Sequence, residues 1–105
     1  MVAVSSQSKT VTIGTDGEIC RVSDPMLEVN IDDIITINNQ TADSISILIA
    51  EENLFKQYKF RIEAGGNETM TVQDIDAGDY PYAVFCREID DFAQASSMPI
   101  IAVRR

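Results

Sequence analysis

Residues 78–90, GDYPYAVFCREID, run an alternating aromatic stretch into a cysteine, Cys86; the only other cysteine, Cys20, lies far upstream. A thiolate can take a soft metal, close a disulfide or act as a nucleophile. Cys86 therefore has four readings. It is a small buried apolar residue at the end of a core strand. It is a soft-metal ligand, for Cu(I) above all, with Met98 or Met26 as thioether partner. It pairs with Cys20, which requires Cα atoms within about 7 Å. Or it is a reactive thiol, with Arg87 as nearby cation and Glu88, Asp90 and Asp91 opposing the thiolate. The favoured expectation is two unpaired, half-buried thiols. No CxxC occurs, so a zinc ribbon and a thioredoxin-type pair are excluded.

The chain contains no histidine. Ser–His and Cys–His nucleophile pairs are therefore impossible. No P-loop or dinucleotide glycine motif is present. No pair of carboxylates is placed to cleave a glycoside. The expectation is a protein that is not an enzyme and needs no cofactor. Glu88, Asp90 and Asp91 form an acidic group, but calcium wants about six to eight oxygens from a defined loop. A solvated acidic loop fits them better, and Asp32-Asp33 and Glu51-Glu52 read as surface turns.

The 105 residues make one domain, 1–105, in which residues 1–9 form a loose lead-in. Apolar residues are 45% of the chain, enough for one core. The net charge is −9, from 17 acidic and 8 basic side chains. Such a surface repels nucleic acid and anionic membranes and favours a soluble monomer. No apolar run reaches the roughly 18 residues of a membrane span. The opening MVAVSSQSKT has no basic n-region. The expected compartment is extracytoplasmic, periplasm or lumen, if a leader was removed, and cytoplasmic otherwise. Asn39-Gln40-Thr41 and Asn67-Glu68-Thr69 match the glycosylation triplet, a pattern that arises readily by chance.

The elements that must position these groups read as short strands broken by turns. Val11-Thr12-Ile13 stops at Gly14, and Asp16-Gly17 turns the chain into residues 18–22. Leu27, Val29 and Ile31 alternate with polar residues, so one face is buried. Residues 34–37 are β-branched and end at Asn38-Asn39. Ile45, Ile47 and Ile49 alternate again. Residues 50–56, AEENLFK, are compatible with a helix but too short to hold one alone. Tyr58, Phe60 and Ile62, then residues 69–72, 80–86 and 100–103, complete about eight strands.

In this order the segments VTIGTDGEICRV, DPMLEVNIDDIITINNQ, AGDYPYAVFC and SMPIIAV resemble the cupredoxin family, its plastocyanin-like members in particular, from Val11 to Val103. Asp32 stands where that family usually has glycine. The resemblance implies an all-β, eight-strand Greek-key β-sandwich with a copper site at one end. It places Cys86 on the copper cysteine and Met98 on the axial methionine. Ser44 and Ile89 stand where the two histidines are expected, and REIDDFAQASS is longer than the family's closing loop. A blue copper site needs two imidazoles and a thiolate, so the resemblance implies a scaffold without that centre. A second resemblance, of DIDAGDYPYAVFC to the tyrosine–cysteine strand of immunoglobulin-like domains, has a longer spacing and lacks the tryptophan.

The reading that follows is a copper-free, cupredoxin-like module that binds or assembles with another protein, not a type 1 copper electron carrier. Loops on a rigid sandwich are the natural recognition surface. Ile89 and Phe92 would supply apolar contacts ringed by Glu88, Asp90 and Asp91, unless Ile89, Phe92 and Met98 turn inward to fill the metal's place. The alternatives are a Cu(I)-handling protein using Cys86 and Met98, and an immunoglobulin-like interaction domain.

Overall fold

A computed structural model describes residues 7–93 and 99–104. Ten strands lie among them: β1 (Ser8–Asp16), β2 (Ile19–Val22), β3 (Met26–Asn30), β4 (Ile34–Asn39), β5 (Ile45–Ile49), β6 (Lys59–Ile62), β7 (Asn67–Thr71), β8 (Gly78–Cys86), β9 (Asp91–Phe92) and β10 (Ile100–Arg104). They form two sheets. The first has the order β2-β1-β4-β7. The second has the order β3-β10-β8-β5-β6, with β9 added beside β8. β1 runs parallel to β4 and β3 parallel to β10, while the remaining pairs are antiparallel.

Alternation in the sequence becomes two-sidedness in the sheets, because successive side chains point to opposite faces. Val11 and Ile13 of β1, Ile35 and Ile37 of β4 and Met70 of β7 line the inner face of the first sheet. Ile45, Ile47 and Ile49 of β5 meet them from the second, with Tyr82 and Val84 of β8 and Ile101 and Val103 of β10. Burying one such aliphatic side chain stabilises by about 1.5–3 kcal/mol, so this row of isoleucines and valines supplies the main driving force.

Three local expectations change. Gly14 does not end its strand: β1 continues to Asp16, where Gly17 adopts φ 65° and turns the chain into β2. Gly14 sits opposite Arg21 in the ladder with open space where a side chain would be. AEENLFK yields only a single 3-10 turn, Glu52–Leu54. Glu51 caps it by accepting from the Asn53 amide, and Leu54 and Phe55 are buried beneath it. Polar residues after Cys86 supply β9, a strand the pattern did not predict, held by Phe92 opposite Phe85.

Asp32 has φ 72°. The left-handed region disfavours residues with a Cβ, and aspartate tolerates it better than most. This explains in backbone terms how Asp32 replaces the expected glycine. Its neighbour Asp33 is not a surface residue. At 2% exposure, its carboxylate accepts from the Gln7 and Asn30 amides, each at 2.9 Å, and ties the start of β1 to the β3–β4 turn. At the same end of the molecule, Tyr80 Oη donates to the Asp76 carbonyl at 2.5 Å and fixes the turn that launches β8.

Candidate functional site

β8 delivers Cys86 to the inner face at one end of the sandwich, and β2 delivers Cys20 to the same place from the opposite sheet. The two form a disulfide with a Cα–Cα distance of 6.5 Å, and neither is exposed to solvent. This corrects the expectation of two unpaired thiols. Tyr82, Val84 and Cys86 share the inward side of β8, and Cys20 and Val22 share that of β2, so sheet-on-sheet packing brings the sulfurs together. A disulfide sulfur has no thiolate to offer a metal.

The other predicted ligand positions lie around this bond or away from it. Ser44 is buried immediately before Ile45, which pairs with Cys86 across β5 and β8. Its Oγ has no hydrogen-bond partner. Ile89 is half-buried and packs against the core, which accords with inward filling for that residue. Met98 lies outside the described residues. Met26 is excluded as a partner for Cys86 by register. It pairs with Ile100, which pairs with Pro81, five residues before Cys86 on β8. At about 3.3 Å per residue that is roughly 16 Å. Among the described residues no three His, Cys, Asp or Glu side chains converge to hold a metal ion.

A polar network beside the disulfide was not legible in the sequence. Asn39, 1% exposed at the end of β4, points its amide into the interior. Nδ2 lies 2.8 Å from the Asp43 carbonyl, 3.0 Å from that of Ile62 and 3.1 Å from that of Glu63, and shares its two hydrogens among them. Oδ1 accepts from the Thr41 amide at 2.9 Å and from Thr41 Oγ1 at 2.7 Å. This one side chain joins β4 of the first sheet to the end of β6 in the second. Its burial also rules out Asn39 as an accessible glycosylation acceptor.

Glu88 is exposed, and its Oε1 accepts from the Ala42 amide at 2.6 Å, pinning the β4–β5 loop to the β8–β9 turn. Asp90 completes that turn with φ 54°, donating its amide to the Arg87 carbonyl at 3.2 Å. Asp91 Oδ1 accepts from the Phe92 amide at 2.8 Å. An open cleft of about 450 Å³ lies between the β1–β2 turn and the β8–β9 turn, lined by Gly17, Glu18, Glu88 and Ile89. These residues lie within three positions of Cys20 or Cys86 in sequence, but neither cysteine lines the cleft and both are fully buried.

Phe92 does not turn inward. It is 50% exposed on the outer face of the second sheet, edge-to-face with Phe85 at 5.2 Å and an interplanar angle of 71°. Register places Ser46 and Arg61 in the same row, and Leu48, Ala83 and Lys59 in the next. Leu48 is 40% exposed. The outer face thus carries an apolar strip bordered by two cations on the edge strand β6.

One further buried group is anomalous. The Tyr82 hydroxyl has no hydrogen-bond partner, and burial, with a smaller contribution from Asp24, pushes its ionisation well above the ordinary phenol value. Replacing a buried unpartnered hydroxyl is nearly neutral or stabilising. Tyr82→Phe is expected to leave stability at neutral pH unchanged or raise it by up to about 1 kcal/mol. The wild type resists ionising this phenol while the unfolded chain ionises near pH 10. Its contribution is therefore full below that pH and is lost as pH rises through the elevated folded value. Thermal melts at pH 8 and pH 11 should show a smaller alkaline loss in Tyr82→Phe.

No protein-family model and no curated protein matches the sequence. Solved structures match the fold. A purple cupredoxin from Nitrosopumilus maritimus superposes with a TM-score of 0.64 at 12% identity, covering 91% of this chain and 99% of that one. A Cu(I) form of a methionine-to-alanine variant of amicyanin gives a TM-score of 0.58 at 14% identity, covering 90% of this chain and 82% of that chain. A second Cu(I) amicyanin variant gives 0.58 at 15% identity, covering 98% and 86%. The fold is a cupredoxin-like β-sandwich. The immunoglobulin-like alternative falls away: its sheets are antiparallel, whereas this sandwich has parallel pairings in both sheets. Among the described residues, no helix is long and apolar enough to cross a membrane.

Proposed function

We propose that this chain is a copper-free, cupredoxin-like module that binds another protein through the outer face of its second sheet. The observation that carries the reading is the exposed Phe92–Phe85 pair beside Leu48. Aromatic and aliphatic side chains grouped on a rigid sheet are typical anchors of an interface. Glu88, Asp90 and Asp91 border the aromatic pair on the β8–β9 turn, and Lys59 and Arg61 border the strip on β6. The partner is an apolar surface with a carboxylate set against Lys59, since Arg61 is already paired with Glu63 at 3.2 Å. At a net charge of −9, repulsion disfavours a second copy as that partner.

The copper-free part rests on the donor set. The chain has no imidazole, the Cys86 sulfur is bonded to Cys20, and serine and isoleucine stand at the expected histidine positions. Those residues do not fit a type 1 copper ion, and the reading assigns the chain no catalytic chemistry. The test compares the protein with a Leu48→Ser/Phe92→Ser variant as baits in native extract, with Cu(II) titrated into the oxidised protein. The expected result is a partner held by the wild type and lost by the variant at unchanged melting temperature, with no intense visible band. Equal capture by both baits would remove the docking face, and a strong blue or purple band would remove the copper-free assignment.

A further inference from the structure

We propose that Asn67 is the acceptor of an N-linked glycan, donated by an oligosaccharide carried on a lipid phosphate. The reading goes beyond the docking function and uses none of its residues. Asn67-Glu68-Thr69 is one of two acceptor triplets in the chain, and the fold separates them. Asn39 is 1% exposed and its amide holds the Asp43, Ile62 and Glu63 carbonyls, so a sugar there would break the join between the sheets. Asn67 is exposed, and its side chain makes no hydrogen bond with the other described residues. It opens β7, the outermost strand of the first sheet, directly after Gly65 and Gly66, which put no side chain beside it. Two further observations point to a sugar. First, Val11, Ile13, Ile35, Ile37 and Met70 face the core, so Thr10, Thr12, Thr36, Asn38, Thr69 and Thr71 face outward. Register sets Thr12, Asn38 and Asn67 in one row and Thr10, Thr36 and Thr69 in the next. The outward rows that these strands share hold no charged side chain, in a chain of which 24% is charged. A sugar chain can lie on hydroxyls and amides without stripping water from an ion. Second, the Cys20–Cys86 bond belongs to an oxidising compartment, and sugar is attached to asparagine in proteins that enter such compartments.

The transfer balances with the lipid-linked donor alone. Asn67 Nδ2 bonds to the anomeric carbon of the first sugar. The bond from that carbon to the lipid phosphate oxygen breaks, and the phosphate leaves with the electron pair. The amide gives one proton to a base of the transferring enzyme, and nothing is oxidised or reduced. Thr69 supplies the hydroxyl that the triplet requires two residues on, and it faces the same side as Asn67. Once attached, the glycan shields the free edge of β7 from pairing with another chain.

The experiment takes the protein from its native source, reduces it and digests it with trypsin. Cleavage after Arg21, Lys56, Arg61 and Arg87 puts Asn39 in peptide 22–56 and Asn67 in peptide 62–87. The expected mass spectrum shows a sugar chain on peptide 62–87, located on Asn67 by electron-transfer fragmentation, and an unmodified peptide 22–56. An unmodified peptide 62–87 would overturn the proposal, as would sugar on peptide 22–56 or on a threonine of peptide 62–87. Thr69→Ser and Thr69→Ala, made in the same source, test the triplet without touching the acceptor. Thr69 is exposed and its Oγ1 meets that of Thr36 at 3.3 Å, so both variants should fold, with circular dichroism as the check. The serine variant should keep the glycan and the alanine variant lose it; retention by the alanine variant would also overturn the proposal. None of these outcomes touches partner capture through Leu48 and Phe92, so the two readings fail separately.

Discussion

Opening the Cys20–Cys86 bond lowers the stability of the fold by about 4 kcal/mol. The bond closes a loop with a sequence separation of 66, and the chain-entropy relation assigns a loop of that size about 4 kcal/mol through restriction of the unfolded chain. The effect is large because typical domains hold only about 5–15 kcal/mol in total. In a domain of about 100 residues each kcal/mol moves the melting temperature by roughly 4–8 °C. Melts with and without dithiol, and of a Cys20→Ala/Cys86→Ala variant, should therefore fall by roughly 15–30 °C. A drop of only a few degrees would mean that the unfolded chain already holds these segments together. Because the bond joins the two sheets, its loss should also loosen the β1–β2 turn and the β8–β9 turn first, readable as faster amide exchange there.

Asn39→Ala is expected to cost about 3–5 kcal/mol, beyond what its lost packing explains. The substitution strips the Asp43, Ile62 and Glu63 carbonyls of a donor and the Thr41 amide of an acceptor, all in or beside the interior. Each buried group left unsatisfied costs about 1–3 kcal/mol. Asn39→Asp separates hydrogen bonding from shape. The ionised carboxylate has nearly the same outline but only accepts, so it turns an oxygen towards carbonyls that now receive a proton. Urea unfolding should place Asn39→Asp at or below Asn39→Ala, with an unchanged slope. A near-wild-type midpoint for the aspartate variant would show that the network is ornamental to the fold.

These two features, the disulfide and the Asn39 network, mark where sequence reading stopped. Ile45, Ile47 and Ile49, or Tyr82 and Val84, announce their inward side by alternation, which is a local property. Pairing of Cys20 with Cys86 depends on which strands of opposing sheets end up face to face, and nothing near either cysteine encodes that. Asn39 resembles any turn asparagine, because its role lies in carbonyls contributed from β6 and the β4–β5 loop. Phe92 was visible as an apolar residue in an acidic loop, but its direction was set by β9 pairing with Phe85, a two-residue strand too short for any periodicity. Ser44 and Ile89 were located through resemblance alone. The structure adds that one leaves a hydroxyl unpartnered and the other packs on the core.

The parallel pairing of β3 with β10 bears on the order in which the chain can acquire its structure. Every strand of the first sheet has been made once Thr71 is reached, whereas the second sheet lacks the neighbour of β3 until Ile100–Arg104 appears. At about 5–20 residues per second during synthesis, the interval between β3 and β10 is on the order of several seconds. Until β10 is made β3 has no strand on either edge and β8, once made, lacks the neighbour of its first half, while Cys20 waits until residue 86 for its partner. Contacts this far apart in sequence also make for slow closure. The nascent chain is therefore exposed to aggregation during this interval, and the open edges are covered when β10 slides between β3 and β8.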